Sequence, residues 1–523
     1  MEANYLSLAL VLFFAVSLLL FFMRYTVIKR CYANMIVKDK ENFLVKVGEK
    51  KETLIKSKAP ANTWREFKKF RVKEKKVESW TIWNDRKVSD ICSFVFEPVE
   101  TPTPLPPFFP GQHLSFLISP EKVKKELAAK SDKLNKSEEA IIEKLNLVEW
   151  WNAFKVGKTM YYSLSDGPSP NTFRVSIKRA LPSPRAPEGT PPGIGSTFFH
   201  EFVNEGDLIE TAMPKGHFYL DYEKKSSVVL VAGGIGITPS ISIGKALNTI
   251  DSDREVILYY GVRNIGEVVL MEDMLKMSRE LKSFKAYLCL SDPATGLKYD
   301  EEEGRITQSS GQTTTQIALD SAERETYVKR LELIKQIMAD PNIHIVTGFD
   351  SEGNLLTDLD APKGCRVSVS LMKHQLEPEH KKYDFYLCGP PPMMKSVVTD
   401  LYHWNLPKDS VHWEGFGPCA VMWPGDVLNS PLKPCTVTFI DKERDEKIYV
   451  DWKPANGSIM NLADERSDKV PKIPRSCGAG FCGTCKTVYK GKVTYDSTPG
   501  ASLKENECLP CVCKPDGDVI FEV

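Results

Sequence analysis

Apolar and polar positions change rhythm several times along the chain. The first rhythm is an uncharged run, 6-LSLALVLFFAVSLLLFFM-23. Its length just suffices, as a helix, to cross a hydrocarbon core about 30 Å thick. Glu2 stands where a signal peptide carries basic residues, and no A-x-A site follows the run, so a removed signal is the weaker reading. Arg24, Lys29 and Arg30 come next, with Lys38 and Lys40 beyond. The positive-inside rule then predicts a single-pass anchor over 1–24, N-terminus outside and everything after it cytoplasmic. Residues 25–64 mix charges without an apolar period and read as a juxtamembrane linker.

From residue 65 the runs are short and alternating. In 65-REFKKFRVKEKK-76, Phe70 and Val72 share one side, which suits a first barrel strand better than a lipid-binding patch. The runs 108-FFPGQHLSFLI-118, 161-YYSLSDGP-168 and 173-FRVSIKRA-180 follow, each punctuated by Pro, Gly or Asp. They predict an antiparallel barrel over 65–223. A charged stretch over 120–157 reads as a helical insert, whose Trp150, Trp151 and Phe154 are expected to cover the domain's own core. Past 224 the strands turn wholly apolar, as in 228-VVLVAGGIGITPSISI-243, 255-EVILYYGVRN-264 and 384-DFYLCGPPPMMKSVV-398. Alternation with helices predicts a parallel sheet covered on both faces over 224–425. Residues 291–363 read as an insertion in it, with one helical stretch over 321–338. Finally, 435-CTVTFIDKERDEKIYV-450 reads as a hairpin opening a last domain over 433–523. The fold class is therefore multi-domain: a transmembrane helix, an antiparallel β-barrel, a parallel α/β domain and a small β-domain.

Composition changes this picture little. The 523 residues exceed one core, and Lys plus Arg equals Asp plus Glu at 69 each. No overall field steers the chain toward nucleic acid. The eight histidines are scattered without H-E-x-x-H spacing, and neither G-x-S-x-G nor a P-loop occurs.

The cysteines matter more. Six of 13 fall in the last 47 residues, and 476-SCGAGFCGTC-485 spaces Cys477, Cys482 and Cys485 as C-x4-C-x2-C. That is the plant-type [2Fe–2S] spacing; structural zinc prefers paired C-x2-C units, and a reducing compartment disfavours disulfides. The intervening glycines let backbone curl around a cluster. Cys508, Cys511 and Cys513 leave the fourth ligand open on spacing alone. Residues 477–515 resemble the ferredoxin domain fused to bacterial oxygenase reductases. There the last ligand precedes a proline by four residues, which implies Cys511, before Pro515.

The upstream segments, over roughly 65–425, resemble the ferredoxin–NADP reductase superfamily, especially the reductase half of flavohaemoglobins. In that family an R-x-Y-S motif holds the flavin; Tyr162 and Ser163 match, implying ring contact and a hydrogen bond near flavin N5. Met160 stands where the motif has Arg, so Lys158, Lys178 or Arg179 is expected to supply the charge, and FMN stays open beside the implied FAD. His113 takes the place of a flavin-contacting Tyr. Gly195 and Ser196 open the helix of the implied pyrophosphate loop. Gly233, Gly234, Gly236 and Thr238 match the nucleotide turn, and Cys388, Gly389 and Pro390 the segment beside the nicotinamide. By generic pattern this turn is a weak dinucleotide site, because Pro239 replaces the third glycine and Arg263 stands where an acid often ends the second strand. Arg263 leaves NADH and NADPH both open. Glu414, Phe416 and Gly417 match the segment that approaches the flavin.

The order flavin, nicotinamide, ferredoxin is that of phthalate dioxygenase reductase. It implies a membrane-anchored oxidoreductase passing electrons from NAD(P)H through FAD and [2Fe–2S] to a separate oxygenase, desaturase or haem protein. Ser163, Cys388 and Glu414 are its candidate catalytic residues. Direct reduction of a membrane quinone, or a redox sensor or scaffold without bound flavin, are the alternatives.

Overall fold

The computed structural model describes residues 66–523 except 84–85, 101–104, 135, 183–188, 223, 250–252, 296, 301–304, 311–312, 320, 377–381, 416–420, 422, 425–431, 443, 475–479, 481–484 and 496–502. The anchor and linker expected over 1–64 lie outside these residues. Among the described residues no helix is long and apolar enough to cross a membrane.

The alternating segments form the barrel. Strand β1 (Lys68–Trp83) pairs antiparallel with β2 (Arg86–Pro98), and β3 (His113–Ile118) follows. The expected insert is helical: α1 (Pro120–Leu134), α2 (Glu138–Lys144) and α3 (Val148–Ala153). Then come β4 (Lys158–Ser163), β5 (Phe173–Lys178), α4 (Ile194–Phe202) and β6 (Leu208–Thr211). The sheet runs β4-β3-β6-β1-β2-β5, and a bridge from Leu164 to Val175 nearly closes it. Alternation sets the faces: Phe70 and Val72 are buried, whereas Lys69 and Arg71 are exposed. Phe94, Phe96, Phe116 and Phe173 fill the interior, and α4 lowers Phe198, Phe199 and Phe202 onto it. The aromatic end of the insert does the same. Trp150 and Phe154 are fully buried, and the Trp150 ring stacks on Phe202 at 5.3 Å.

The apolar strands form the parallel sheet. In chain order these are β7 (Ser227–Gly233), α5 (Ile237–Thr249), β8 (Val256–Val262), α6 (Met271–Glu280) and β9 (Phe284–Leu290). Next stand β10 (Leu297–Asp300), β11 (Arg305–Ser310), β12 (Thr313–Ala318), α7 (Ser321–Ala339) and β13 (Ile343–Val346). A two-stranded ribbon, β14 (Gly348–Phe349) with β15 (Leu355–Leu356), precedes α8 (Val369–Gln375), β16 (Tyr383–Cys388), α9 (Pro391–His403) and β17 (Val411–Glu414). The sheet order is β13-β9-β8-β7-β16-β17, all parallel. Connections run one way from β7 and the other way into β16. Their carboxyl ends therefore open a crevice where doubly wound sheets bind ligands.

The stretch read as one insertion over 291–363 divides. Strands β10 to β12 make a separate three-stranded sheet, but β13 pairs with β9 inside the main sheet, and Ile337 of α7 is fully buried in its core. Turn-rich composition masked this crossover, because β13 is only four residues long. Helix α7 also ties the sheet to the barrel. Its buried Arg330 donates to the carbonyl of Glu78 on β1 and to those of Gly266 (2.7 Å) and Val268 (2.8 Å).

The last domain is built on the expected hairpin, β18 (Cys435–Asp441) with β19 (Glu446–Trp452). Helix α10 (Ile459–Glu465), β20 (Thr487–Lys490), β21 (Val493–Tyr495), β22 (Glu507–Cys508), β23 (Cys513–Pro515) and β24 (Val519–Glu522) follow. The main sheet is ordered β19-β18-β24-β20-β22, and the last strand lies parallel to the first. Trp452, Phe439 and Phe521 fill its core, with Ile459 and Leu462 of α10 against them.

The insert's role in the barrel core is testable. Trp150→Ala removes a fully buried indole and is expected to cost about 3–5 kcal/mol of barrel stability. A urea unfolding curve indistinguishable from the parent's would show that the insert only decorates the barrel.

Candidate functional site

The site is where the barrel meets the crevice of the parallel sheet. Strands β3 and β4 pair His113 with Ser163, while β16 and β17 pair Cys388 with Glu414. These two pairs face each other. The Ser163 hydroxyl donates to Glu414 Oε2 at 3.3 Å, across 251 residues of sequence, and His113 Nδ1 stands 3.6 Å from Glu414 Oε1. All four residues are buried. The His113 Nε2 atom has no hydrogen-bond partner among the described residues. A buried ring nitrogen without a partner is costly, so this position fits a polar ligand.

A cavity of about 510 Å³ adjoins, lined by Tyr161, Tyr162, Ser163, Lys178, Thr238 and Arg263 among others. Of the cations expected to replace the motif Arg, Lys178 stays at the cavity, its ammonium 3.5 Å from Asp90 and partly exposed. Arg179 also lines the cavity, but its guanidinium is engaged by protein groups. Its guanidinium binds the Ser89 carbonyl at 2.8 Å, the Ser89 hydroxyl at 3.1 Å and Glu201 at 2.7 Å. Lys158 begins β4, opposite Ile118.

Met160 has taken up different space. A Cβ on Gly195 would lie 2.3 Å from Met160 Sδ and 2.7 Å from the Tyr162 hydroxyl, so any larger residue there must displace the Met160 and Tyr162 side chains. Ser196 presents no spare hydroxyl. Its oxygen accepts from the Ala180 N–H at 3.0 Å and donates to the Gly193 carbonyl at 3.1 Å, which fixes the loop before α4. What that helix end offers an anion is its backbone N–H groups.

The nucleotide turn fits its expected ligand by backbone shape. Gly234 has φ +53°, and a Cβ there would point into open space. Gly236 is pressed against β16, where a Cβ would lie 2.1 Å from the Cys388 carbonyl oxygen. Gly233 sits against Pro390 and Met393 at the start of α9. The turn and the 388–390 segment are thus one packed unit at the switch between β7 and β16. Thr238 caps this turn, its hydroxyl donating to the Ile235 carbonyl at 3.1 Å. Phe416 and Gly417 lie outside the described residues.

Sequence reading missed what clamps the two sheets together. Arg174 on β5 binds Asp273 on α6 at 2.7 Å, and Lys245 on α5 reaches both Asp273 (2.8 Å) and Asp166 (2.5 Å). Burial alone would raise the Asp273 pKa, but Arg174 and Lys245 hold it below the usual carboxylate range. No local spacing links Arg174 to a partner 99 residues away.

In the last domain, Cys485 Sγ and Cys511 Sγ approach to 3.2 Å, though they come from different segments. Two thiols converging from separate loops suit a shared metal centre. Cys477 and Cys482 lie outside the described residues. Cys508 and Cys513 are fully buried beneath this pair, the Cys508 thiol donating to the Thr487 carbonyl at 3.5 Å.

Residues 225–399 match the ferric reductase NAD binding domain, and residues 451–516 match the 2Fe-2S iron-sulfur cluster binding domain. Two segments of the chain therefore match models of a nucleotide-binding domain and of an iron-sulfur domain. Relatives include the flavohemoprotein of Halalkalibacterium halodurans, 24% identical over 72% of this chain and 65% of the relative. The flavohemoprotein of Deinococcus radiodurans is 30% identical over 69% of this chain and 62% of its own length. The chain thus spans less than two thirds of either protein. Among solved structures, phthalate dioxygenase reductase is similar at 19% identity, covering 87% of this chain and 98% of that one, with TM-score 0.41. An intact type IV self-sufficient cytochrome P450 monooxygenase is similar at 16% identity, covering 91% of this chain and 44% of that one, with TM-score 0.47.

Cysteine substitution separates ligands from buried thiols. Cys511→Ser is expected to lose bound iron and visible absorption, whereas Cys508→Ser and Cys513→Ser keep both. Iron retained by the Cys511 variant and lost from either of the others would move the fourth ligand.

Proposed function

We propose that this chain is an NAD(P)H-dependent reductase that passes electrons through FAD and a [2Fe–2S] cluster to a separate acceptor. The observation that carries the proposal is the meeting of Ser163, His113 and Glu414 beside Cys388, at the mouth of the nucleotide crevice. A bound flavin supplies the change from a two-electron hydride donor to one-electron carriage, and a bound cluster carries single electrons onward.

The chain's own residues supply position and electrostatics. The turn from Gly233 to Gly236 offers backbone N–H groups and close approach to a pyrophosphate. Ser163 holds a hydroxyl at the end of β4, and Glu414 fixes its direction by accepting from it. His113 stands on the other oxygen of the same carboxylate, with Nε2 left to a ligand. Cys388 ends β16 with a small buried thiol, its carbonyl packed against Gly236 of the turn. Lys178 lines the cavity with its ammonium 3.5 Å from Asp90, and it takes the place of the motif Arg, now Met160, in meeting a flavin phosphate.

Cys477, Cys482, Cys485 and Cys511 hold the cluster in this reading. The acceptor is an oxygenase, desaturase or haem protein that docks on the last domain. The run over 6–23 anchors the chain to a membrane, with the catalytic domains on the cytoplasmic side.

The test compares Ser163→Ala and Glu414→Gln with the parent, using a soluble one-electron acceptor and measuring flavin content. Each variant is expected to turn over about 10²-fold more slowly with flavin retained. The double variant should be little worse than either single, because the two groups act as a unit. Parental rates in both variants would contradict the proposal.

A further inference from the structure

A dinucleotide must span more than the glycine turn, and the crevice continues past it. Arg263 follows the end of β8 and lines the first cavity together with Ile235 and Thr238 of the turn. The next residues, Asn264, Ile265 and Gly266, line a second cavity of about 230 Å³. Its remaining walls include Thr295 after β9, and Tyr327 and Leu331 of α7. A whole small-molecule site takes roughly 300–1,000 Å³, so this smaller pocket suits one end of a dinucleotide. A ligand that lies on the glycine turn and ends in this pocket passes its adenosine ribose over Arg263.

At that place the charges are already paired. The Arg263 guanidinium forms an ion pair with the Glu267 carboxylate, which also accepts from the Arg263 backbone N–H at 3.3 Å. Glu267 is the more buried partner, its side chain 22% exposed against 66% for Arg263. The carboxylate therefore sits deeper in the protein, while the guanidinium is the solvent-facing member. Among the described residues lining the second cavity, the one cation is Arg330, and its guanidinium is taken up by the carbonyls of Glu78, Gly266 and Val268. Asp360 adds a further carboxylate to the lining. A 2′-phosphate entering here must draw Arg263 away from Glu267 and then lie beside a stranded carboxylate. A 2′-hydroxyl meets a ready acceptor instead.

We infer that Glu267, by holding Arg263 in an ion pair beside the crevice, makes this chain select NADH over NADPH. The inference rests on the reductase reading above and assigns its electron donor. Selectivity here comes chiefly from repulsion of the wrong ligand rather than from added contacts with the right one.

The experiment measures kcat/KM for both nucleotides with the full chain and ferricyanide as acceptor. The parent is expected to favour NADH by about tenfold or more, and Glu267→Gln to raise the NADPH/NADH ratio by about tenfold. Adding Arg263→Ala to Glu267→Gln should remove that gain. A parent that favours NADPH, or a ratio unmoved in Glu267→Gln, overturns the inference while the reductase reading stands. A parent that oxidises neither nucleotide overturns both. Independently of any variant, 5′-AMP should bind the parent more tightly than 2′,5′-ADP; the reverse order also overturns the inference.

Discussion

Everything the site can do depends on the clamp between barrel and parallel sheet. Arg174, Asp273, Lys245 and Asp166 form one alternating chain of charge across that seam. Asp273 is buried, so losing both cations would strand a desolvated carboxylate, a change that costs about 3–5 kcal/mol in comparable buried pairs. Ser242 adds a neutral bond, its hydroxyl donating to the Asp166 carbonyl at 2.8 Å. The same seam sets the end of β4 against the end of β17. That is how a serine and a glutamate from separate sheets come within hydrogen-bond reach. Reacting groups gain from being held at such distances, where small misplacements cost large factors in rate.

The second tie is helix α7. Its Arg330 spans from a barrel carbonyl to carbonyls after β8, while Tyr327 lies 6.0 Å from the Trp80 ring of β1. The same helix walls the cavity beyond Arg263. One element therefore braces the two domains and shapes the far end of the crevice. Neither use can be guessed from its weakly amphipathic, charge-rich sequence.

Much of the architecture was legible because it rests on local pattern. Alternation at Phe70 and Val72 marks the barrel strand, unbroken apolar runs mark β7, β8 and β16, and the glycine turn marks the crevice. The division of 291–363 was not legible, since β13 is too short to show a period and is a strand only because β9 lies beside it. At the site, resemblance singled out Ser163, Glu414 and His113, and the structure brings those three together. Sequence could not show that Arg179 and the Ser196 hydroxyl are spent on local bonds. Nor could it show that Glu267 engages Arg263. Each of these turns on which partner a polar group finds in three dimensions, and spacing along the chain does not encode that choice.

The account's central claim is that electrons cross this seam from a nicotinamide donor and leave through the last domain. Its most direct test is an anaerobic titration of the full chain with NADH, following flavin absorbance optically and the cluster by electron paramagnetic resonance. The account predicts bleaching of the flavin band and a reduced [2Fe–2S] signal from the same additions. Absence of bound flavin, or a flavin and cluster that both stay oxidised under excess NADH and NADPH, would contradict it.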